Sequence, residues 1–214
     1  MPWIVSLLVV LGVILVSMIL HELAHGVVAY WLGDDTAKQE GRLTLNPLKH
    51  LDPVLSFVMP MLLLAMGMPI FGGAKPVPIN TRNLKHGVWG MALVGLAGPL
   101  TNILLALVAF VIGYFTGGLV DMGLGGYICW EFIMVNLGFG VFNLLPIPPL
   151  DGSRVSYALA PDGVRRAMEG MERWGIWIVM MLVVLAPSVV STLMSGAMTG
   201  ILNGFYWLVS WFVI

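Results

Sequence analysis

One stretch constrains this chain more than any other. From Trp3 to Leu20 there is no charged residue, and the run passes without a break into His21-Glu22-Leu23-Ala24-His25. At the helical rise the apolar part alone reaches about 27 Å, close to the hydrocarbon thickness of a bilayer. The helical pattern continues to about Leu32, where Gly33-Asp34-Asp35 ends it. The run lacks the basic start and small-residue cleavage site of a signal peptide, so it is expected to be retained. Composition points the same way. Of 214 residues, 59% are apolar and 10% are charged, whereas a soluble domain carries roughly a quarter charged residues. An ordinary soluble fold of this length cannot hide so much apolar surface. With a net charge of -1 and no basic stripe, nucleic-acid binding is also excluded. The single cysteine, Cys129, excludes a disulfide framework and a cysteine-based metal site.

Further apolar runs cover Pro53 to Phe71, Val88 to Phe115, Tyr127 to Leu145, Trp174 to about Val190, and about Ala197 to Ile214. The Pro53 to Phe71 run is short and broken by Pro60 and Pro69. All 10 basic residues fall in three places. These are Lys38, Arg42 and Lys49; then Lys75, Arg82 and Lys85; then Arg154, Arg165, Arg166 and Arg173. The positive-inside rule puts all three groups on the cytoplasmic side. That requires Pro53 to Phe71 to enter and leave by one face, as a re-entrant hairpin covered by protein or lining a wet cavity. The expected fold is an all-α polytopic membrane protein. It has about five transmembrane helices plus a re-entrant hairpin or short extended segment near the cytoplasmic face. It forms one integral-membrane domain over residues 1–214, with a catalytic core at about 1–156 and a C-terminal helical hairpin at about 174–214.

His-Glu-x-x-His on a helix places both imidazoles on one face, where they can share a metal ion, with Glu22 beside them to hold a water. A polar cluster between helices is the bland explanation. Inside an apolar helix, however, each ionised group costs roughly 2.5–3.5 kcal/mol on insertion scales, so three ionisable groups within five residues mark a functional site. A catalytic zinc site takes three protein ligands and one open position. Asp151 is the expected third ligand. It follows the Pro-rich end of a span, at the same membrane depth as His25, whereas Glu131, Asp121 and Cys129 lie toward the opposite side. Asp151 could instead cap the helix that follows it. Sharing of one ion by His25 and Asp151 also requires that Pro53 to Phe71 does not cross.

With these residues in place, the chain resembles the site-2 proteases, intramembrane zinc metalloproteases. Three motifs match in the family's order: His21 to His25 with its flanks, Gly98-Pro99-Leu100-Thr101-Asn102, and Asn143 to Gly152 with its Pro run and Leu-Asp-Gly. Gly41-Arg42-Leu43-Thr44-Leu45-Asn46-Pro47 and Ala74-Lys75-Pro76-Val77-Pro78 are similar to short members from bacteria and archaea. The likeness covers about residues 15 to 156. It implies one Zn2+ per chain held by His21, His25 and Asp151, with Glu22 as general base. It also implies Asn102 and Asn143 near the scissile carbonyl, although interhelical hydrogen bonding is the alternative for both. Asn136 reads as a packing residue. The substrate would be a transmembrane helix of a membrane protein within the lipid bilayer. The location would be the cytoplasmic membrane of a bacterium or archaeon, with the active site toward the cytoplasm. No PDZ or CBS domain is expected. Val77-Pro78-Ile79 is a candidate edge for an unwound substrate, and the region before it a candidate plug. The alternative from another class is a transporter or metal-handling channel, since intramembrane His, Glu and Asp also mark ion pathways. The paired repeats common in transporters are missing here.

Overall fold

The structure, a computed structural model, describes residues 2–52, 58, 61, 75–121 and 123–211. The expected re-entrant hairpin, Pro53 to Phe71, lies outside the described residues apart from two isolated positions. Among the described residues there is no strand. The helices are α1 (Trp3–Trp31), α2 (Thr36–Gln39), α3 (Gly87–Phe115), α4 (Leu124–Asn143), α5 (Gly152–Leu159), α6 (Asp162–Glu172), α7 (Gly175–Leu185) and α8 (Pro187–Ser210). A short 3-10 turn covers Pro47–Lys49.

Among the described residues three helices, α1, α3 and α4, are long and apolar enough to cross a membrane. The other two expected spans form a bent pair. An 11-residue α7 meets α8 at 94° across Ala186. At about 1.5 Å per residue α7 covers only about half of a bilayer core. The break comes earlier than the hydropathy suggests because Pro187 has no N–H to continue α7 and instead begins α8 at its first turn.

The long helices are built inside out relative to a soluble bundle. On α3, Leu93, Leu100, Leu104, Val108 and Ile112 face outward, while Gly95, Gly98, Asn102, Ala106 and Gly113 face inward. On α1 the inner face carries Ser17, His21, His25 and Ala29 at four-residue spacing. Large apolar side chains lie on the exposed outer face, the arrangement expected of helices in lipid. Small and polar ones meet other helices, where close approach and interhelical hydrogen bonds hold the bundle. Away from the polar layer, Ala106, Ala109 and Phe110 of α3 pack with Ile133 and Leu137 of α4 and with Phe205 and Val209 of α8.

The α1–α3 connection folds back on itself. The Lys85 N–H donates to Leu32 O at 2.8 Å, and the Lys75 N–H donates to His50 O at 2.8 Å. Asp34, fully buried, accepts from Thr36 Oγ1, the Asn80 N–H and Asn83 Nδ2 at 2.5, 2.7 and 3.3 Å. The end of α1 and the approach to α3 are thereby tied together at one end of the bundle.

Candidate metal centre and active site

Three side chains distant in sequence converge. His21 Nε2 and His25 Nε2 lie 3.0 Å apart, and Asp151 Oδ2 lies 3.1 Å from the first and 3.3 Å from the second. Both histidines are buried, at 7% and 6% exposure. The α1 helix presents the imidazoles one turn apart. Asp151 arrives from the Pro-rich segment after α4. It stands at the N-cap position of α5, yet its side chain makes no cap hydrogen bond and is turned to the histidines instead. Gly152 permits this turn, because a Cβ there would collide with the Leu144 carbonyl.

The outer hydrogen bonds decide which ring atoms face inward. His25 Nδ1 lies 2.7 Å from Val94 O. A carbonyl only accepts, so His25 carries its proton on Nδ1 and turns a lone pair toward Asp151. His21 Nδ1 lies 2.5 Å from Asn102 Oδ1, with the same result. With both imidazoles neutral, two ring lone pairs and a carboxylate oxygen point at one another, an arrangement that a metal ion between them would stabilise. Their separations match the ligand–ligand edges of a tetrahedral zinc site, about 3.3 Å for bonds of about 2.0–2.1 Å. Space is kept open above them by Gly98 of α3. A Cβ at that position would lie 2.5 Å from His25 Nε2 and 2.6 Å from His21 Nε2. Among the described residues this is the one group of three side chains able to hold a metal ion.

Glu22 sits beside this triad, and its Oε2 accepts a hydrogen bond from the Val77 N–H at 2.9 Å. Arg42, nearly fully buried, braces the same segment by donating to Lys75 O at 2.7 Å and Pro76 O at 3.2 Å. Of the Val77-Pro78-Ile79 edge, Pro78 has no N–H, and the Val77 N–H belongs to Glu22.

The two asparagines expected near a substrate carbonyl have other partners. Asn102 is fully buried, with its oxygen on His21 and its amide nitrogen donating to Asn136 Oδ1 at 2.7 Å. Asn143 Nδ2 donates back along its own helix to Phe139 O at 3.0 Å. Asn136 is a polar link between helices rather than simple filler, since its Nδ2 donates to Ser17 Oγ at 2.8 Å and Phe132 O at 2.9 Å. Sequence reading missed Arg42 and Ser17 as parts of this site. Ser17 carries a signal, one helical turn before His21 on the same face. The Val77 contact is a backbone group and leaves none.

The chain as a whole has relatives among known proteins. The sequence pattern of Peptidase family M50 matches residues 117–187, the stretch containing Asp151. The "Putative zinc metalloprotease YwhC" of Bacillus subtilis (strain 168) is 41% identical over 196 residues, which cover 86% of this chain and 81% of that protein. The "Putative zinc metalloprotease Rip2" of Mycolicibacterium smegmatis is 33% identical over 181 residues, covering 79% of this chain and 64% of that protein. Its namesake in Mycobacterium tuberculosis (strain ATCC 25618 / H37Rv) is 31% identical over 200 residues, covering 91% and 70%. No solved structure matches the chain.

Proposed function

Since the chain belongs to peptidase family M50, the site-2 proteases, and is a zinc metalloprotease of that intramembrane type, we propose that His21, His25 and Asp151 hold one zinc ion and that Glu22 is the general base. The observation that carries this reading is the convergence of the three ligand atoms within 3.0–3.3 Å of one another. Zinc bound there supplies a Lewis acid for the scissile carbonyl and lowers the pKa of a water toward about 7. Glu22 orients that water, takes its proton and returns it to the leaving amine. The Val77 N–H fixes one carboxylate oxygen and leaves the other for this transfer. Asn102 keeps His21 in its ligating tautomer. The Asn102 and Asn143 amide nitrogens each give one N–H to Asn136 Oδ1 and Phe139 O, and the second N–H of the half-buried Asn143 is left to donate to a developing oxyanion.

The substrate is a transmembrane segment of a membrane protein. A helix hides its carbonyls in its own hydrogen bonds, so the segment unwinds locally before cleavage. The basic loops and the metal centre face the cytoplasm, and residues 53–71 enter and leave by that face. The hydrogen bond between Lys75 and His50 supports this path, because it holds the two flanks of that run side by side. Family membership sets aside the transporter reading.

The test is cleavage of a transmembrane substrate in detergent, with metal content measured in parallel. Wild type should cleave and hold about one zinc per chain. Glu22→Gln should hold zinc without turnover, while His21→Ala, His25→Ala and Asp151→Ala should each lose the metal. Full zinc occupancy in Asp151→Ala removes Asp151 from the site, and turnover by Glu22→Gln removes Glu22 as base.

A further inference from the structure

Behind His21 a chain of polar side chains crosses three helices and ends on a backbone carbonyl. It runs from His21 on α1 to Asn102 on α3, to Asn136 on α4, and from there to Ser17 on α1 and Phe132 O on α4. Ser17, Asn102 and Asn136 are all fully buried. An amide has one accepting end and one donating end, and in isolation either end can face either way. Here the choice is removed at the far end. Phe132 O can only accept, so the Asn136 end facing it must be Nδ2. Asn136 Oδ1 then faces Asn102, and the Asn102 end meeting it must donate. Asn102 Oδ1 is left facing His21, whose Nδ1 must carry the proton. In the neutral ring, the form that ligates a metal, the lone pair is then on Nε2, toward Asp151.

We propose that Asn136 is a positioning residue for the metal centre: it transmits the polarity of the Phe132 carbonyl through Asn102 and so sets the ligating tautomer of His21. This deepens the metal-ligand reading of His21 and rests on it. His25 needs no such relay, because its Nδ1 meets Val94 O directly. Ser17 has a lesser part. Its hydroxyl can donate or accept, so it fills a hydrogen-bonding position without fixing the direction of the chain.

The test is zinc affinity of the purified, folded protein, measured by competition with a chelator, independent of cleavage. Asn136→Leu, similar in volume, frees Asn102 to turn over and should weaken zinc binding about tenfold, at the low end for residues behind a metal ligand. Ser17→Ala should stay within about twofold, since Phe132 O still fixes the amide. The decisive arm is Asn102→Asp, whose two oxygens both accept. In that background His21 no longer needs Asn136, and adding Asn136→Leu should leave zinc affinity unchanged. An equal loss in both backgrounds makes Asn136 a packing residue and overturns the proposal. So does unchanged affinity in Asn136→Leu alone, an equal loss in Ser17→Ala, or failure to fold that persists in the double variant. Failure of the underlying reading looks different: His21→Ala would then keep its zinc.

Discussion

The Val77 N–H donates to Glu22 Oε2 at 2.9 Å, so the proposed general base is anchored by the backbone of a segment 55 positions away. That segment contributes no ligand. It does fix where the carboxylate stands, and it is itself held by Arg42, whose guanidinium donates to Lys75 O and Pro76 O. The order of dependence is Arg42, then residues 75–77, then Glu22.

Arg42→Ala should therefore lower kcat by about tenfold or more while zinc content stays at one per chain, since misplacing a catalytic group by a fraction of an ångström is costly and the ligands are untouched. Arg42→Lys offers a single point donor in place of a fork, so it should recover part of the loss. Unchanged kcat in Arg42→Ala would show that Val77 holds Glu22 without help.

Gly98→Ala tests the space above the triad. The added Cβ would lie 2.5–2.6 Å from both Nε2 atoms, well inside van der Waals contact. Either α3 moves away or the metal position is blocked. Zinc content should fall well below that of wild type, with helix content by circular dichroism unchanged. Wild-type zinc affinity in this variant would mean that α3 yields more easily than a packed helix should.

Much of this was legible in the sequence, for physical reasons. The ends of α1 and α3 fall within a residue of where hydropathy and Gly33 place them, because a long apolar run has one stable form in lipid. His21 and His25 declare themselves through helical spacing, and Asp151 through membrane depth. The break at Pro187 was harder. The residues around it, Leu185-Ala186 and Ser188-Val189-Val190, are apolar enough to hide a sharp bend. Residue type and motif make Asn102 and Asn143 look alike, yet the first is joined to His21 and the second to its own helix. That difference depends on which helix lies opposite, which spacing along one helix does not encode. The grip of Val77 on Glu22 is a main-chain contact across a long connection and has no side-chain signature.

Asp34 should make stability depend on pH at the acid end. Burial pushes its carboxyl up, but hydrogen bonds from Thr36, Asn80 and Asn83 outweigh burial and hold it below the ordinary carboxylate range. A folded-state pKa below the unfolded value contributes stability that is present above about pH 4, the unfolded value, and lost as pH falls through the folded one. Thermal unfolding in detergent should show the wild-type midpoint dropping below about pH 4, with a shallower drop in Asp34→Asn. At neutral pH, Asp34→Ala should cost about 1–3 kcal/mol, because the donors it satisfies lose their partner. Identical acid limbs for wild type and Asp34→Asn would assign that limb to other carboxylates.

The last prediction concerns the path of residues 53–71. The hydrogen bond between Lys75 and His50 brings the two flanks of this run together, and the tie between Leu32 and Lys85 does the same one step further out. A full crossing would separate those flanks by the thickness of the bilayer, about 30 Å. It would also put Lys49 and Lys85 on opposite sides, against the positive-inside rule. Single cysteines replacing Lys49 or Lys85 in a Cys129→Ser background can be probed with an impermeant thiol reagent from each face of sealed vesicles. Both should label from the cytoplasmic face alone. Labelling from opposite faces would mean that the run crosses. Asp151 would then reach the bundle from the wrong side to meet His25, and the assignment of the third ligand would fail with the topology.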